Sequence, residues 1–168
     1  HMLIMDYKDG EWGIPDIKPF EPLVMHPATS VLHYGQSIFE GLKAYKNDEG
    51  DVFVFRPEQN AKRLNVSAAR MCMPSVPEDV FVDAIKQLVS IDSAWIPKKR
   101  GSSLYIRPLL FATDEYIGVK PSSTYRLMIF MAPVDKYYSG AVKVKIEEHF
   151  SRSVRGGTGF AKAAGNYA

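Results

Sequence analysis

The sequence predicts an α+β domain in which two helices flank a mostly antiparallel sheet. Segments that resemble strands outnumber helical segments, and short turns join most neighbouring strands. Two segments repeat apolar residues every three or four positions, as an amphipathic helix does. With 168 residues, 46% of them hydrophobic, the chain is long enough to form one substantial core.

The first part of the chain is predicted to be extended. The apolar run at 2–7 predicts a strand that ends in a turn. Prolines recur through 12–27 and exclude a helix of ordinary length there. We expect a second strand at 20–25.

A hairpin and two helices follow. Residues 41–46 and 51–56 alternate their side chains on either side of a polar turn, which predicts an antiparallel pair. A helix begins at Pro57 and runs to about residue 71. The pattern at 75–78 predicts a capping box at the start of the second helix. The predicted buried face of that helix is Val80, Phe81, Ala84, Ile85, Leu88, Val89 and Ile91.

Three more strands are predicted, at 103–113, 124–134 and 142–149. The turn-rich stretch between the last two predicts a domain boundary. We therefore expect an amino-terminal domain (1–134), a linker (135–141) and the start of a second domain (142–168). The chain is expected to be the front part of a larger enzyme.

Composition narrows the class of protein. Twenty-one basic and 19 acidic side chains leave a net charge of +2, and the basic residues form no stripe of the kind that binds nucleic acid. The single cysteine, Cys72, excludes an internal disulfide, and we expect it to be buried. No metal site is expected, because a set of ligands with suitable spacing is missing. The absence of a long apolar run or a signal peptide favours the cytoplasm.

Lys162 is the residue that most clearly suggests chemistry. It lies among small residues in 156–168, so the backbone can turn tightly there and few bulky side chains screen the amine. A nucleophilic lysine needs activation, since the free amine has a pKa near 10.4. In an arbitrary sequence this pattern more often marks a solvated lysine.

The motifs resolve that choice through a resemblance. The chain resembles the branched-chain aminotransferases, which belong to the class IV, pyridoxal-phosphate fold type IV family. Seven stretches match in family order over essentially the whole chain: HPATSVLHYGQSIFEGLKAY (26–45), FRPEQNAKRL (55–64), MCMPSV (71–76), GSSLYIRPLL (101–110), IGV (117–119), APVDKYY (132–138) and GGTGFAKAAGNYA (156–168). The implied fold is the small domain of that family, with the second domain largely absent.

The resemblance implies a role for three residues around pyridoxal 5′-phosphate. Lys162 would bind the cofactor covalently and also move the proton between the substrate and the cofactor. Arg63 would bind the phosphate, since a guanidinium matches phosphate geometry. Tyr167 would donate to the phenolate oxygen of the cofactor.

A second set of residues is implied for the substrate and the partner subunit. Arg107 would meet the distal carboxylate of glutamate or 2-oxoglutarate. The aromatic wall of the pocket would consist of Tyr34, Phe39, Tyr105 and Tyr137. Ile117 and Val119 would reach the pocket of a neighbouring subunit, which implies a homodimer.

The implied reaction is transamination of leucine, isoleucine and valine with 2-oxoglutarate. Because the family uses a further domain to bind the pyridine nitrogen, we expect this chain alone to be inactive. Two alternatives remain at this point. The chain could be a folding or dimerisation module without cofactor, or part of a D-amino-acid aminotransferase or aminodeoxychorismate lyase.

Overall fold

The structure is a computed structural model that describes residues 1–138 and 140–168. Within these residues the regular elements follow the chain in this order: β1 (Met2–Lys8), β2 (Glu11–Trp12), β3 (Asp16–Lys18), α1 (Ser30–Tyr34), β4 (Ser37–Phe39), β5 (Leu42–Lys46), β6 (Val52–Val54), α2 (Pro57–Arg70), α3 (Glu78–Ile91), β7 (Ser103–Ala112) and β8 (Tyr125–Val134). Short 3-10 turns follow at Ser93–Trp95 and Ala164–Tyr167. In the described part of the chain, no helix is both long and apolar enough to cross a membrane.

One antiparallel sheet contains all eight strands. The strand order is β2-β1-β8-β7-β5-β6, with β3 paired to β1 and β4 paired to β7. The long strands β7 and β8 pair along their whole length, from Ser103 opposite Val134 to Ala112 opposite Tyr125. The predicted hairpin of 41–46 and 51–56 is confirmed as β5 and β6, in which Ala44 pairs with Val54.

The main core lies between the sheet and the helices α2 and α3. It joins Leu3 and Met5 of β1 to Leu64 of α2 and to Phe81 and Leu88 of α3. All five side chains are almost completely buried. The helices therefore pack on one face of the sheet, as their apolar periodicity predicts.

A smaller core covers the opposite face of β1. Met2 and Ile4 pack there with Phe111 and Met128, and Leu23 and Met25 lie against them. Both faces of β1 are thus buried, which explains why its sequence is continuously apolar instead of alternating.

The predicted strand at 20–25 is wrong. This segment has no regular structure, although Leu23 and Met25 pack on the sheet through their side chains. Pro19 and Pro22 lack the N–H groups that a strand ladder requires, so the segment covers the sheet without joining it.

The strand predicted at 142–149 is also absent: these residues have no regular structure and are exposed. Val144 and Ile146 are 86% and 84% exposed, although they alternate with Lys143 and Lys145 as in a half-buried strand. Within the described residues no strand pairs with this segment, and an isolated strand has no ladder to stabilise it.

The helix predicted at 57–71 is confirmed as α2, but two predictions near the helix termini are wrong. The capping box at 75–78 does not form, because α3 begins at Glu78 after Pro77 and no side chain caps it. Instead, the Asn65 side chain bonds both to the N–H and to the C=O of Val76 and fixes the approach to α3. Cys72 is exposed, since the chain turns there with a positive φ of 55°.

Most of the predicted buried face of α3 is confirmed, whereas its two ends differ. Phe81, Ala84, Ile85, Leu88 and Val89 are buried. Val80 is only partly buried, and Ile91, the last residue of α3, is half exposed. Ile91 differs because the helix ends there, beyond the part that packs on the sheet.

Candidate active site

The backbone of Lys162 is held between a helix and a strand. Its N–H donates to the Ser67 hydroxyl of α2 at 2.9 Å, and its C=O accepts from the Phe39 N–H of β4 at 3.1 Å. The next residue, Ala163, forms a β-bridge with Ile38. Because Ser67 is fully buried, the lysine is fixed to the core of the domain and not to a free loop.

The glycine-rich stretch before Lys162 is tied to α2 by one arginine. The Arg70 guanidinium donates to the carbonyl of Gly156 at 2.9 Å and to that of Gly157 at 3.3 Å. Gly156 has a φ of 79°, which glycine adopts without strain. The loop therefore takes a defined path into the lysine.

The Lys162 amine faces aromatic groups. Its Nζ lies 3.4 Å from the Tyr167 hydroxyl, 4.3 Å from the centre of the Phe39 ring and 4.7 Å from that of the Tyr167 ring. Among the described residues no carboxylate lies within ion-pair distance of Nζ. An amine without a carboxylate partner remains available to an electrophilic ligand.

Next to this amine lies an open cleft of about 780 Å³. Strand periodicity supplies part of its wall: Tyr105, Arg107 and Leu109 alternate on β7 with Leu104, Ile106 and Leu110, which are buried in the main core. The rest of the wall includes Phe39, Tyr137 and Tyr167. The cleft is thus mainly aromatic, with a small number of charged groups.

Arg107 is the cation on the β7 wall. Its Nη2 donates to the Tyr105 hydroxyl at 2.9 Å, and its guanidinium carbon lies 4.6 Å from the centre of the Phe39 ring. The buried Nε has no hydrogen-bond partner. A carboxylate is the natural acceptor for such a group, since a guanidinium binds carboxylates through paired N–H donors.

Arg63 of α2 forms a paired contact with Glu40, a residue that sequence reasoning missed. Its Nε and Nη2 each donate to one Glu40 oxygen at 2.7 Å. Glu40 is fully buried, whereas the Arg63 side chain is 54% exposed. Hydrogen bonding to Glu40 raises the pKa of Arg63, and the Tyr167 phenol adds to the effect. The signal for Glu40 was its position directly after Phe39 in a matched motif.

The structure brings together most, but not all, of the predicted site residues. Lys162, Tyr167 and Phe39 contact one another, and Tyr105, Arg107 and Tyr137 line the same cleft. Tyr34 instead lies on α1 beside His33, and Ile117 and Val119 are exposed in the loop between β7 and β8. None of these last three lines the cleft in the described chain. No cluster of metal-binding side chains occurs among the residues that the structure describes.

Known proteins resemble this chain over its entire length. Branched-chain-amino-acid transaminase 1 of Bacillus subtilis (strain 168) is 49% identical over 173 residues, and branched-chain-amino-acid aminotransferase 2 of the same strain is 51% identical over 172 residues. Each alignment covers 100% of this chain but only 49% and 47% of the relative. The chain thus spans about half the length of these curated relatives. No family model matches it.

Solved structures agree with these sequence relatives. The branched-chain amino acid aminotransferase of Escherichia coli superposes with a TM-score of 0.66 at 26% identity, over 98% of this chain and 52% of that one. The enzyme of the archaeon Thermoproteus uzoniensis gives 0.61 at 24% identity, over 82% and 43%, and shows the same fold. The predicted α+β fold, the small domain of the fold type IV aminotransferases, is therefore confirmed. The chain belongs to the branched-chain aminotransferase family.

Proposed function

We propose that the chain forms part of a pyridoxal-phosphate-dependent transaminase. The complete enzyme would transfer the amino group of leucine, isoleucine or valine to 2-oxoglutarate, giving branched-chain 2-oxo acids and glutamate. The observation that carries the proposal is the Lys162 amine, which has no carboxylate partner in the described chain and borders an aromatic cleft that also contains Arg107. The activity named for the sequence relatives supports the same reaction.

The residues present fit the cofactor. Lys162 offers an amine to an aldehyde, the exposed part of Arg63 offers donors to a phosphate, and the Tyr167 hydroxyl lies 3.4 Å from the amine. A thermophilic branched-chain aminotransferase (T.th.), 28% identical to this chain, has been crystallised with N-(5′-phosphopyridoxyl)-L-glutamate. When bound, pyridoxal phosphate supplies the electron sink that makes the substrate α-proton acidic.

Lys162 would do the proton transfer of the reaction. Once its Nζ is released from the cofactor, the amine can accept the proton from the substrate α-carbon. The bonds of its backbone to Ser67 and Phe39 limit where the side chain can move. Positioning of this kind lowers the entropy cost of the transfer.

The cleft suits both substrates of a transaminase. The rings of Phe39, Tyr105 and Tyr137 offer apolar surface to a branched side chain. Arg107 offers its unpartnered Nε to the distal carboxylate of 2-oxoglutarate. An aliphatic side chain would contact the rings, whereas a carboxylate would bind the guanidinium.

The assembly is part of the same proposal. Residues 1–134 would form one domain, 135–141 a linker and 142–168 the start of a second domain; Ser139 of the linker lies outside the described residues. The enzyme would be a cytoplasmic homodimer that binds neither nucleic acid nor membranes. Its exposed Ile117 and Val119 would contact the partner's pocket, and Tyr34 on α1 would lie near a pocket wall in that assembly.

Borohydride reduction tests the function directly. We expect the complete protein, incubated with pyridoxal phosphate and reduced, to carry one pyridoxyl group on Lys162 by peptide mass spectrometry. Lys162→Ala should remove both this group and the formation of glutamate from leucine and 2-oxoglutarate. Lys43→Ala changes another lysine that lines the cleft and should retain the pyridoxyl group.

Two results would contradict the proposal. An unmodified Lys162 would favour a folding or dimerisation module. A modified Lys162 in a protein that is inactive on leucine, isoleucine and valine, but active on D-amino acids or aminodeoxychorismate, would assign another activity of the same fold.

A further inference from the structure

Glu40 is a fully buried carboxylate to which the proposed function gives no role. Both of its oxygens are hydrogen-bonded: Oε1 accepts from Arg63 Nε, and Oε2 accepts from Arg63 Nη2 and Asn60 Nδ2, all at 2.7 Å. The Gly41 N–H adds a longer contact at 3.3 Å. Burying a carboxylate is unfavourable unless it is paired and bonded in this way. The set of donors therefore forms a built site for this one side chain.

The pairing uses one edge of the Arg63 guanidinium. Nε and Nη2 belong to that edge, so Nη1 and the second proton of Nη2 lie on the other edges of the planar group. Within the described chain, no protein acceptor bonds to Nη1, and the side chain is 54% exposed. Arg63 can therefore bind a ligand without releasing Glu40.

The pair is attached to the same two elements that hold Lys162. Glu40 follows Phe39, whose N–H donates to the Lys162 carbonyl. Arg63 precedes Ser67 by one turn of α2, and the Ser67 hydroxyl accepts from the Lys162 N–H. The Tyr167 phenol contributes to the raised pKa of Arg63, so the guanidinium lies near the cofactor-binding tyrosine as well. A fixed Arg63 is thus fixed relative to the lysine.

We propose that Glu40 is a positioning residue that orients Arg63 for a phosphate monoester, so that recognition of the phosphate group, and not of the pyridine ring, depends on it. The inference rests on the proposed function and deepens it. A free arginine loses rotamer entropy when it binds phosphate, whereas the paired arginine is already ordered.

The negative charge of Glu40 acts in the opposite direction, because it reduces the attraction of Arg63 for an anion. Water screens this effect at a half-exposed guanidinium, whereas the loss of orientation is not screened. We therefore expect orientation to dominate. The two effects predict opposite changes in affinity when the charge of Glu40 is removed.

The test compares two ligands that differ only in the phosphate. In the complete protein, Glu40→Gln is expected to raise the dissociation constant of pyridoxal 5′-phosphate about tenfold, and that of pyridoxal less than about twofold. Asn60→Ala, which removes one donor to Glu40 and leaves Arg63 in place, should raise the constant for the phosphate ligand about threefold. Glu58→Gln makes the same chemical change at an exposed position of α2 and should change neither constant.

A double variant isolates the pair. In an Arg63→Ala background, Glu40→Gln should no longer affect the binding of pyridoxal 5′-phosphate, since the group that it orients is gone. Unchanged or tighter binding of the phosphate ligand by Glu40→Gln would overturn the inference while leaving the function intact. If Glu40→Gln does not fold, unchanged binding by Asn60→Ala would overturn it. A wild-type protein without affinity for pyridoxal 5′-phosphate would overturn the inference and the proposed function together.

Discussion

At the scale of single residues, Arg107 is the group that we expect to separate the two substrates. Arg107→Gln should lower kcat/KM for 2-oxoglutarate about 10- to 100-fold, because a charge-assisted hydrogen bond contributes about 1.5–3 kcal/mol. The value for leucine should change less than about threefold, since its side chain needs only the aromatic surface. Steady-state kinetics with each substrate varied in turn measures the difference.

Tyr105→Phe is the matched control for that prediction. It removes the hydroxyl that accepts from Arg107 but keeps the ring in the cleft wall. We expect a smaller loss with 2-oxoglutarate than for Arg107→Gln. Equal losses with leucine and 2-oxoglutarate in Arg107→Gln would contradict the assigned role of Arg107.

Gly41 is the residue that leaves room for Tyr105. A Cβ at this position would lie 2.3 Å from the Tyr105 hydroxyl and 3.0 Å from the ring carbon that carries it. Gly41→Ala must therefore displace the ring and weaken its bond to Arg107. We expect kcat/KM for 2-oxoglutarate to fall about tenfold, an effect of the order of one hydrogen bond to a charged group.

The control for Gly41→Ala combines it with Tyr105→Phe. Removal of the hydroxyl relieves the closest contact, so the added alanine should cost less activity in this background than in the wild type. An equal cost in both backgrounds would show that Gly41 acts through its own backbone.

Elements, rather than single residues, determine what could be predicted from the sequence. The hairpin and α2 have strong local patterns, and both were predicted correctly. Motif matches also predicted Phe39, Tyr105 and Arg107 for the pocket, and period-2 alternation explains why the last two share a face. These inferences need only local order along the chain.

The remaining features depend on contacts between distant parts of the chain. Ser67 bonds to Lys162 across 95 positions, and Glu40 meets Arg63 across 23. No local pattern encodes such pairs, because the fold alone brings them together. The segment at 20–25 failed for a related reason, since its side chains pack on the sheet while its prolines prevent backbone pairing.

The loop between β7 and β8 is an element that depends on one carboxylate. Asp114 accepts from the N–H groups of Ser123 and Thr124, both at 3.0 Å, and from Lys120 at 3.2 Å. Burial raises the pKa of Asp114, but the hydrogen bonds, led by the Ser123 N–H, outweigh it and hold the pKa well below its usual range. The ionised form is therefore favoured in the folded protein.

This shift predicts the direction of an acid effect on stability. The unfolded chain, in which Asp114 has a pKa near 3.9, binds its proton before the folded chain does. The free energy of unfolding should therefore fall as the pH decreases below about 5. Asp114→Asn should lower stability by about 1–3 kcal/mol at pH 7 and weaken the acid dependence. Urea unfolding between pH 3 and pH 7 tests both expectations.

Asp48→Asn serves as the control for the acid effect, because Asp48 is an exposed carboxylate in the turn of the hairpin. It should leave the pH dependence of stability unchanged. If Asp114→Asn shows the same dependence as the wild type, other carboxylates control the acid response.

At the scale of the whole molecule, the exposed apolar segment at 142–150 links the fold to the proposed second domain. Val144, Ile146 and Phe150 are each at least 84% exposed, an unusual state for three large apolar side chains so close in sequence. Their alternation with lysine and acidic residues fits a strand with one buried face. We therefore expect the remainder of the complete enzyme to bury this segment.

Limited proteolysis can test this expectation, since trypsin cleaves after exposed lysines. Trypsin should cleave the 168-residue chain rapidly after Lys143 and Lys145, and the complete enzyme at least about tenfold more slowly there, because a buried strand must open before it can be cut. Mass spectrometry of timed digests identifies the sites. The exposed cluster at 98–100 is an internal control and should be cleaved at the same rate in both proteins. Equal rates at Lys143 and Lys145 in both proteins would mean that the segment stays exposed in the complete enzyme and does not join a second sheet.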